Sequence, residues 1–303
     1  MKTLTSSFTT PKNLIFSHFI TLLCVIFILF CPKNVQNIVS GLGILSFGIL
    51  HGANDLKILS KKNPKKQHFF GIPFWAIYIG VVFLGIITFY FIPSIALFSF
   101  VAISCYHFGE QHWQAHLSHI NNTAFFFSAY GALIFLMLFS FHYEEVTEVI
   151  FQISGIQLSF DIFWITLVFV GFLVFLLMLI NIKDKKELLV EFLLLGLLAI
   201  IFYQGSLLFG FGLYFVLWHS LPSLQSQIGY LFDNDEKSPF RQYFKSAFLY
   251  WVIALIGLIA SYFFGMLPKD QYLSVFFSFL AAITFPHVVV MGLMFHSSKQ
   301  HSR

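Results

Sequence analysis

The sequence predicts an all-α polytopic membrane bundle of about ten helices with a cytoplasmic N-terminus. Three observations predict it: an apolar composition, ten apolar runs of membrane-spanning length, and a one-sided distribution of Lys and Arg. Of 303 residues, 58% are hydrophobic and 10% are charged, with a mean hydropathy of +0.83. Soluble domains carry about 25% charged residues, so a water-soluble globule is excluded. The net charge of +4 is small, and its carriers cluster between apolar stretches rather than along one face, which excludes a nucleic-acid partner. Cys24, Cys31 and Cys105 form no CxxC pair or framework spacing and read as small buried hydrophobes. The 43 Phe residues fit an aromatic-lined cavity and the codon bias of an AT-rich genome equally well.

A helix needs about 20 apolar residues to cross the hydrocarbon core. Ten runs qualify, at 14–31, 35–59, 72–92, 94–119, 123–142, 161–182, 188–204, 207–231, 246–265 and 272–296. The first is expected to persist as a helix, because it is long for a signal core and Cys31-Pro32-Lys33 offers no small-residue cleavage site. With the N-terminus inside, the inner segments hold Lys2, Lys12, Lys57, Lys61, Lys62, Lys65, Lys66, Lys183, Lys185, Lys186, Lys237, Arg241, Lys245, Lys299 and Arg303. Only Lys33 and Lys269 fall outside, the asymmetry expected of a bacterial-type inner (plasma) membrane protein. Changing the count by one helix would mix the two sets. The outer connection 143–160 carries Glu144, Glu145 and Glu148, with Val146, Val149, Ile150 and Ile153 at helical spacing. It reads as an amphipathic helix on the lipid bilayer surface. No fixed-period repeat and no loop long enough for a soluble domain interrupt the chain, so residues 1–303 are expected to form a single integral membrane domain.

Ionisable side chains inside such helices are costly and mark functional sites or interhelical partners. Four histidines stand out: His51 in Gly48-Ile49-Leu50-His51-Gly52-Ala53-Asn54-Asp55, His107 in Ser104-Cys105-Tyr106-His107-Phe108-Gly109-Glu110, His219 in Leu217-Trp218-His219-Ser220-Leu221-Pro222, and His287 in Thr284-Phe285-Pro286-His287-Val288. They lie on the second, fourth, eighth and tenth runs, which all pass from outside to inside. Each sits 12 to 16 residues from the outer end of its run, roughly 18 to 24 Å deep at the helical rise, so all four fit one layer. Four neutral imidazoles at one depth suit Fe(II), Zn or Cu. Singly, each would read as a hydrogen-bonded core residue bridging helices.

Asp55, four residues after His51, and Glu110, three after His107, fall on the faces of those histidines. Each is expected to accept the second ring N–H of its histidine, or else to be solvated at the inner rim. Gly48, Gly52 and Gly109 permit close approach, and Pro222 and Pro286 interrupt their helices. A further set, His112, His116 and His119, includes one HxxxH spacing and is expected to be a non-metallic, water-facing helix end, since diiron membrane enzymes need several such boxes. Trp218, Tyr106, Tyr214, Phe108 and Phe285 neighbour the four histidines and are candidates to line a cavity. A b-type haem electron carrier, another His-rich membrane metalloenzyme and a proton-coupled transporter using His51, Asp55, His107 and Glu110 remain alternatives on these residues alone.

Through HGANDL (51–56), YHFGE (106–110), WHS (218–220) and PH (286–287), taken in order, the sequence resembles the Brp/Blh family of membrane β-carotene dioxygenases. The resemblance runs from about Gly41 to Phe295. It implies a carotenoid-cleaving enzyme that uses O2 to cut β-carotene at its central double bond into two retinals. It also implies Fe(II) held by His51, His107, His219 and His287, and a functional link to a retinal-binding rhodopsin. One departure bears on the ligand set: family members carry a second His one turn after the WHS-type His, where this chain has Ser223, so His287 is the remaining candidate for the fourth ligand.

The charge partition has a direct test. Reporter fusions after Lys66, Lys186 and Lys245 are expected to read as cytoplasmic, and fusions near Lys33, Glu148 and Lys269 as external; an exchange at any one would mean a wrong helix count.

Overall fold

The computed structural model describes residues 11–62, 68–69, 72–114, 116–117, 123–232, 238–264 and 271–300. Lys2, Lys65, Lys66, His119, Lys237, Lys269 and Arg303 lie outside the described residues. The chain runs through α1 (Pro11–Phe30), α2 (Lys33–Gly43), a π-helical turn (Ile44–Gly48) and α3 (Asp55–Lys62). A two-residue antiparallel pair, β1 (His68–Phe69) with β2 (Ile72–Pro73), then leads into α4 (Phe74–Phe91) and α5 (Pro93–Trp113). The remainder is α6 (Ala124–Phe141), α7 (Tyr143–Ser154), α8 (Phe160–Asn181), α9 (Lys185–Gln204), α10 (Leu207–Leu213), a second π-helical segment (Tyr214–Ser220), α11 (Leu221–Leu231), α12 (Pro239–Phe264) and α13 (Tyr272–Gln300).

The protein is an all-α polytopic membrane bundle. Among the described residues, seven helical runs are long and apolar enough to cross a bilayer: Phe74–Phe91, Ala124–Phe141, Phe160–Asn181, Lys185–Gln204, Leu207–Leu231, Pro239–Phe263 and Tyr272–Phe295. Large apolar side chains such as Phe83, Ile165, Phe169 and Phe263 are exposed on them; this suits hydrocarbon and not water. Of the other three expected runs, 14–31 coincides with α1, whose apolar stretch Ile15–Phe30 is shorter. The run 94–119 ends as α5 at Trp113. The run 35–59 is not one helix: it passes from α2 into the π turn and breaks at His51–Asn54.

That break has a local cause. In an α-helix the Gly48 carbonyl would accept the Gly52 amide. Here the ring of His51 occupies that carbonyl, with Nδ1 at 2.5 Å from Gly48 O. The Gly52 and Ala53 amides fall back to Ile49 O and Leu50 O, 3.3 and 3.1 Å away. Glycine at 48 and 52 adds low helix propensity at the same place.

The core is built on α5 and α6, the most extensive helix pair. A Cβ placed on Gly109 would lie 1.9 Å from Phe127 O, and one on Gly131 would lie 1.9 Å from Cys105 O. The two helices therefore touch backbone to backbone at two reciprocal points, as small residues allow in membranes. α7 is amphipathic as expected, with Val146 buried, Glu144 and Glu145 in its first turn, and Gly155 closing it at φ 70°. Ser274 Oγ donates to Gln152 Oε1 at 2.6 Å and ties α13 to α7.

Gly131→Ala and Gly109→Ala should each lower thermal stability in detergent by at least the 1–3 kcal/mol typical of overpacking. Gly196→Ala on α9, where a Cβ meets nothing within 4 Å, should be neutral or mildly stabilising. Melting curves of the three variants decide it; equal behaviour would contradict the close contact.

Candidate metal centre

The four histidines arrive from four separate elements. His51 opens the turn that breaks the second run, His107 lies in α5, His219 lies in the π segment Tyr214–Ser220, and His287 follows Pro286 inside α13. All are buried, with exposures of 4%, 1%, 1% and 5% respectively. The His51 ring centroid lies 5.1 Å from that of His219 and 4.7 Å from that of His287. His107 stands 4.7 Å from His219 and 5.4 Å from His287. One nitrogen each from His51, His219 and His287 fall mutually within 4.8 Å, a buried three-His group able to hold a metal ion. His107 is the fourth ring of the cluster, in ring contact with His219 and His287 but outside that mutual nitrogen distance.

The nitrogens also meet the chemical requirement of a metal site. His51 Nε2, His287 Nε2, His219 Nδ1 and both nitrogens of His107 are buried without a hydrogen-bond partner. Leaving polar atoms unpaired in an apolar interior costs about 1–3 kcal/mol each, and a cation would supply the missing partner. The opposite nitrogens of two rings are tied down. His51 Nδ1 is held by Gly48 O, and His287 Nδ1 lies 3.0 Å from both carboxylate oxygens of Asp55. With Nδ1–H donating to these oxygens, each Nε2 lone pair is left for a metal.

The expected carboxylate partners change on folding. Asp55 serves His287 and not His51, because the break at His51–Asn54 carries it off the face that a continuous helix would have given it. Tyr78 of α4, which the sequence reading missed, donates to Asp55 Oδ2 at 2.9 Å and fixes the carboxylate. Glu110 does not meet His107: its Oε1 accepts the Tyr106 hydroxyl at 2.7 Å, and both ring nitrogens of His107 lack a hydrogen bond. Nor is Glu110 solvated, at 6% exposure.

Both π segments belong to this construction, since a π turn inserts an extra residue and re-aims the side chains beyond it. In the second, Ser220 Oγ donates to Phe215 O at 2.8 Å; Pro222 then opens α11. Phe108 stacks on His219 at 4.4 Å, and Phe215 stacks on it at 5.5 Å while meeting His51 edge-on at 5.7 Å. Phe215 approaches this closely because residue 48 is glycine; a Cβ there would lie 2.7 Å from Phe215 Cε1. Phe215 was missed as a neighbour, although it lies four residues before His219 and so one turn away. Phe108 also lines a small apolar cavity with Phe135, Leu138, Phe202, Phe211 and Tyr214.

The other expected neighbours also have contacts away from the four histidines. Tyr106 serves Glu110, and Phe285 packs toward Gly85 of α4. Tyr214 and Trp218 turn to His112: the Tyr214 hydroxyl is 3.4 Å from His112 Nδ1, and the Trp218 ring stacks on His112 at 5.4 Å. His112 is not water-facing as expected. It pairs with Glu191 of α9 at 3.3 Å, their side chains 6% and 10% exposed, and Glu191 also accepts the hydroxyl of fully buried Tyr130. One turn on, His116 pairs with Glu187 at 2.5 Å and is partly exposed. Neither joins the three-His group.

A family model described as Beta-carotene 15,15'-dioxygenase matches residues 42–295. The chain belongs to this family. No curated protein and no solved structure shows a significant match to it. The matched region contains all four histidines, Asp55 and Tyr78, so the buried three-His group lies within a carotenoid dioxygenase domain. In this beta-carotene dioxygenase family member Ser223 is fully buried and accepts a hydrogen bond from Gln227 Nε2 at 3.1 Å.

Because Asp55 orients His287 whereas Glu110 touches none of the four rings by hydrogen bond, the two carboxylates should separate by experiment. Asp55→Asn is expected to weaken metal binding about 10- to 100-fold, and Glu110→Gln to leave it within about twofold. Metal content after dialysis against graded chelator measures both.

Proposed function

We propose that the chain cleaves β-carotene at its central double bond with O2, at a non-haem Fe(II) centre held by His51, His107, His219 and His287, and releases two molecules of retinal. The observation that carries this reading is the convergence of buried imidazole nitrogens without hydrogen-bond partners, in a chain of the beta-carotene dioxygenase family. Bound Fe(II) would supply the one-electron chemistry that O2 needs to react with a closed-shell polyene.

The rest of the work falls to the chain. Gly48 O and Asp55 hold the Nδ1–H groups of His51 and His287, so those rings offer Nε2 in fixed orientation. The buried Asp55 carboxylate places negative charge beside neutral ligands and favours a cation. Phe108 and Phe215 wall the site with apolar surface, excluding water and giving a polyene only dispersion and shape by which to be positioned. A hydrocarbon offers no hydrogen-bonding group, so the shape of these apolar walls would select the bond that is cut. In the overall reaction the central C=C and the O–O bonds break and two C=O bonds form, with both oxygen atoms in the products. No net proton is taken up or released, which fits a site whose other neighbours are aromatic rings.

In this reading the substrate enters laterally from the bilayer of the bacterial-type inner (plasma) membrane, the N-terminus is cytoplasmic, and a retinal-binding rhodopsin is a natural acceptor of the product. Expression in a β-carotene-accumulating host should bleach the pigment and yield retinal as the sole aldehyde, identified by chromatography. His51→Ala, His107→Ala, His219→Ala and His287→Ala should each lose most bound iron and nearly all turnover, and His112→Ala and His116→Ala should keep their iron. Longer apocarotenals would overturn central cleavage. Full iron and turnover in His287→Ala would overturn the ligand set.

A further inference from the structure

α12 contributes none of the four histidines, and most of its membrane-spanning length faces outward. Its first turns are nonetheless sunk into the core, where Tyr243 and Ala247 are 0% exposed. Polar groups of this helix converge on the broken segment that carries His51, where the single Tyr243 O–H is shared among nearby acceptors. The Tyr243 hydroxyl lies 3.1 Å from His51 O and 3.3 Å from Leu50 O, with Gln227 Oε1 at 2.8 Å on its other side. The Tyr243 carbonyl accepts Asn54 Nδ2 at 3.1 Å, and Ser246 Oγ donates to Asn54 Oδ1 at 2.9 Å. Two turns on, Trp251 Nε1 donates to Leu45 O, inside the π turn, at 2.8 Å.

The two carbonyls that Tyr243 reaches are the ones that a continuous α-helix would give to the amides of Asn54 and Asp55. With them engaged, the Asp55 amide turns to Gly52 O at 3.3 Å. The helix is thereby kept open at the point where His51 faces the other histidines and Asp55 faces His287. We propose that α12 braces the broken helix, and that Tyr243 is a positioning residue that sets His51 and Asp55 in the metal centre. Without its hydroxyl, the Asp55 amide is free to reclaim His51 O and rebuild a helical turn, carrying Asp55 away from His287.

The proposal rests on the metal-centre reading above, so its test has one arm that needs no metal. In metal-free protein in detergent, amide hydrogen exchange over residues 51–55 should differ by about tenfold between wild type and Tyr243→Phe; unchanged exchange would overturn the brace. In the metal arm, Co(II) is titrated into wild type, His51→Ala, Tyr243→Phe and, as a control on the same helix, Tyr262→Phe, and its visible absorption is followed. Tyr243→Phe should bind Co(II) about tenfold more weakly with an altered spectrum, at a melting temperature near that of wild type, while Tyr262→Phe matches wild type. Wild-type affinity and spectrum in Tyr243→Phe would overturn the positioning role. If wild type itself binds no Co(II), the metal reading fails and the exchange arm alone judges the brace. Should Tyr243→Phe fail to fold, Ser246→Ala and Trp251→Phe take its place in both arms: changed exchange over residues 51–55 with weaker binding supports the brace, and wild-type values in both variants overturn it.

Discussion

Inside hydrocarbon an unpaired peptide group costs several kcal/mol, so a membrane helix stays regular unless something else takes up the groups freed by an irregularity. In this chain the irregularities fall at the histidines, and each comes with its substitute partner. His51 itself takes Gly48 O, Tyr243 takes the carbonyls of Leu50 and His51, Trp251 takes Leu45 O, and Ser220 takes Phe215 O. The broken and π-helical segments thus have substitute partners at these carbonyls, and they aim two of the four rings at one point.

The same accounting, applied to side chains, marks what the centre lacks. Two other sets of buried polar groups close on themselves: Tyr130, Glu191 and His112 form one network, and Ser223, Gln227 and Tyr243 form another. At the four histidines the nitrogens turned toward one another have no protein partner. What sets this cluster apart is that several such nitrogens meet at one point, where a cation would complete them. Its surroundings are apolar, with Phe108 and Phe215 stacked on His219, as a site for a hydrocarbon substrate requires.

Rigidity around the centre comes from contacts with little room to adjust. α5, which carries His107 and Phe108, is pinned to α6 by backbone contact at Gly109 and Gly131. α13, which carries His287, is joined to the segment of His51 through Asp55, and Asp55 to α4 through Tyr78. The elements that carry His51, His107 and His287 are thus each tied to another element of the bundle.

The sequence by itself determined the membrane-bundle class, the amphipathic α7, the four histidines and ten apolar runs, seven of which are long apolar spans among the described residues, because apolar run length, charge and rare buried ionisable residues are all local signals. The family motifs were legible for the same reason. The partners of those histidines were not. Helical spacing placed Asp55 beside His51 and Glu110 beside His107, on the premise of unbroken helices; the break at His51–Asn54 gave Asp55 to His287, and Tyr106 kept Glu110. Nor did spacing show that His112 would be buried against Glu191, or that Tyr78, Phe215 and Tyr243 would matter. Those contacts join residues on different helices, some more than 190 positions apart in the chain, and such pairs are decided only when packing brings the helices together and unpaired polar groups must find partners where they lie.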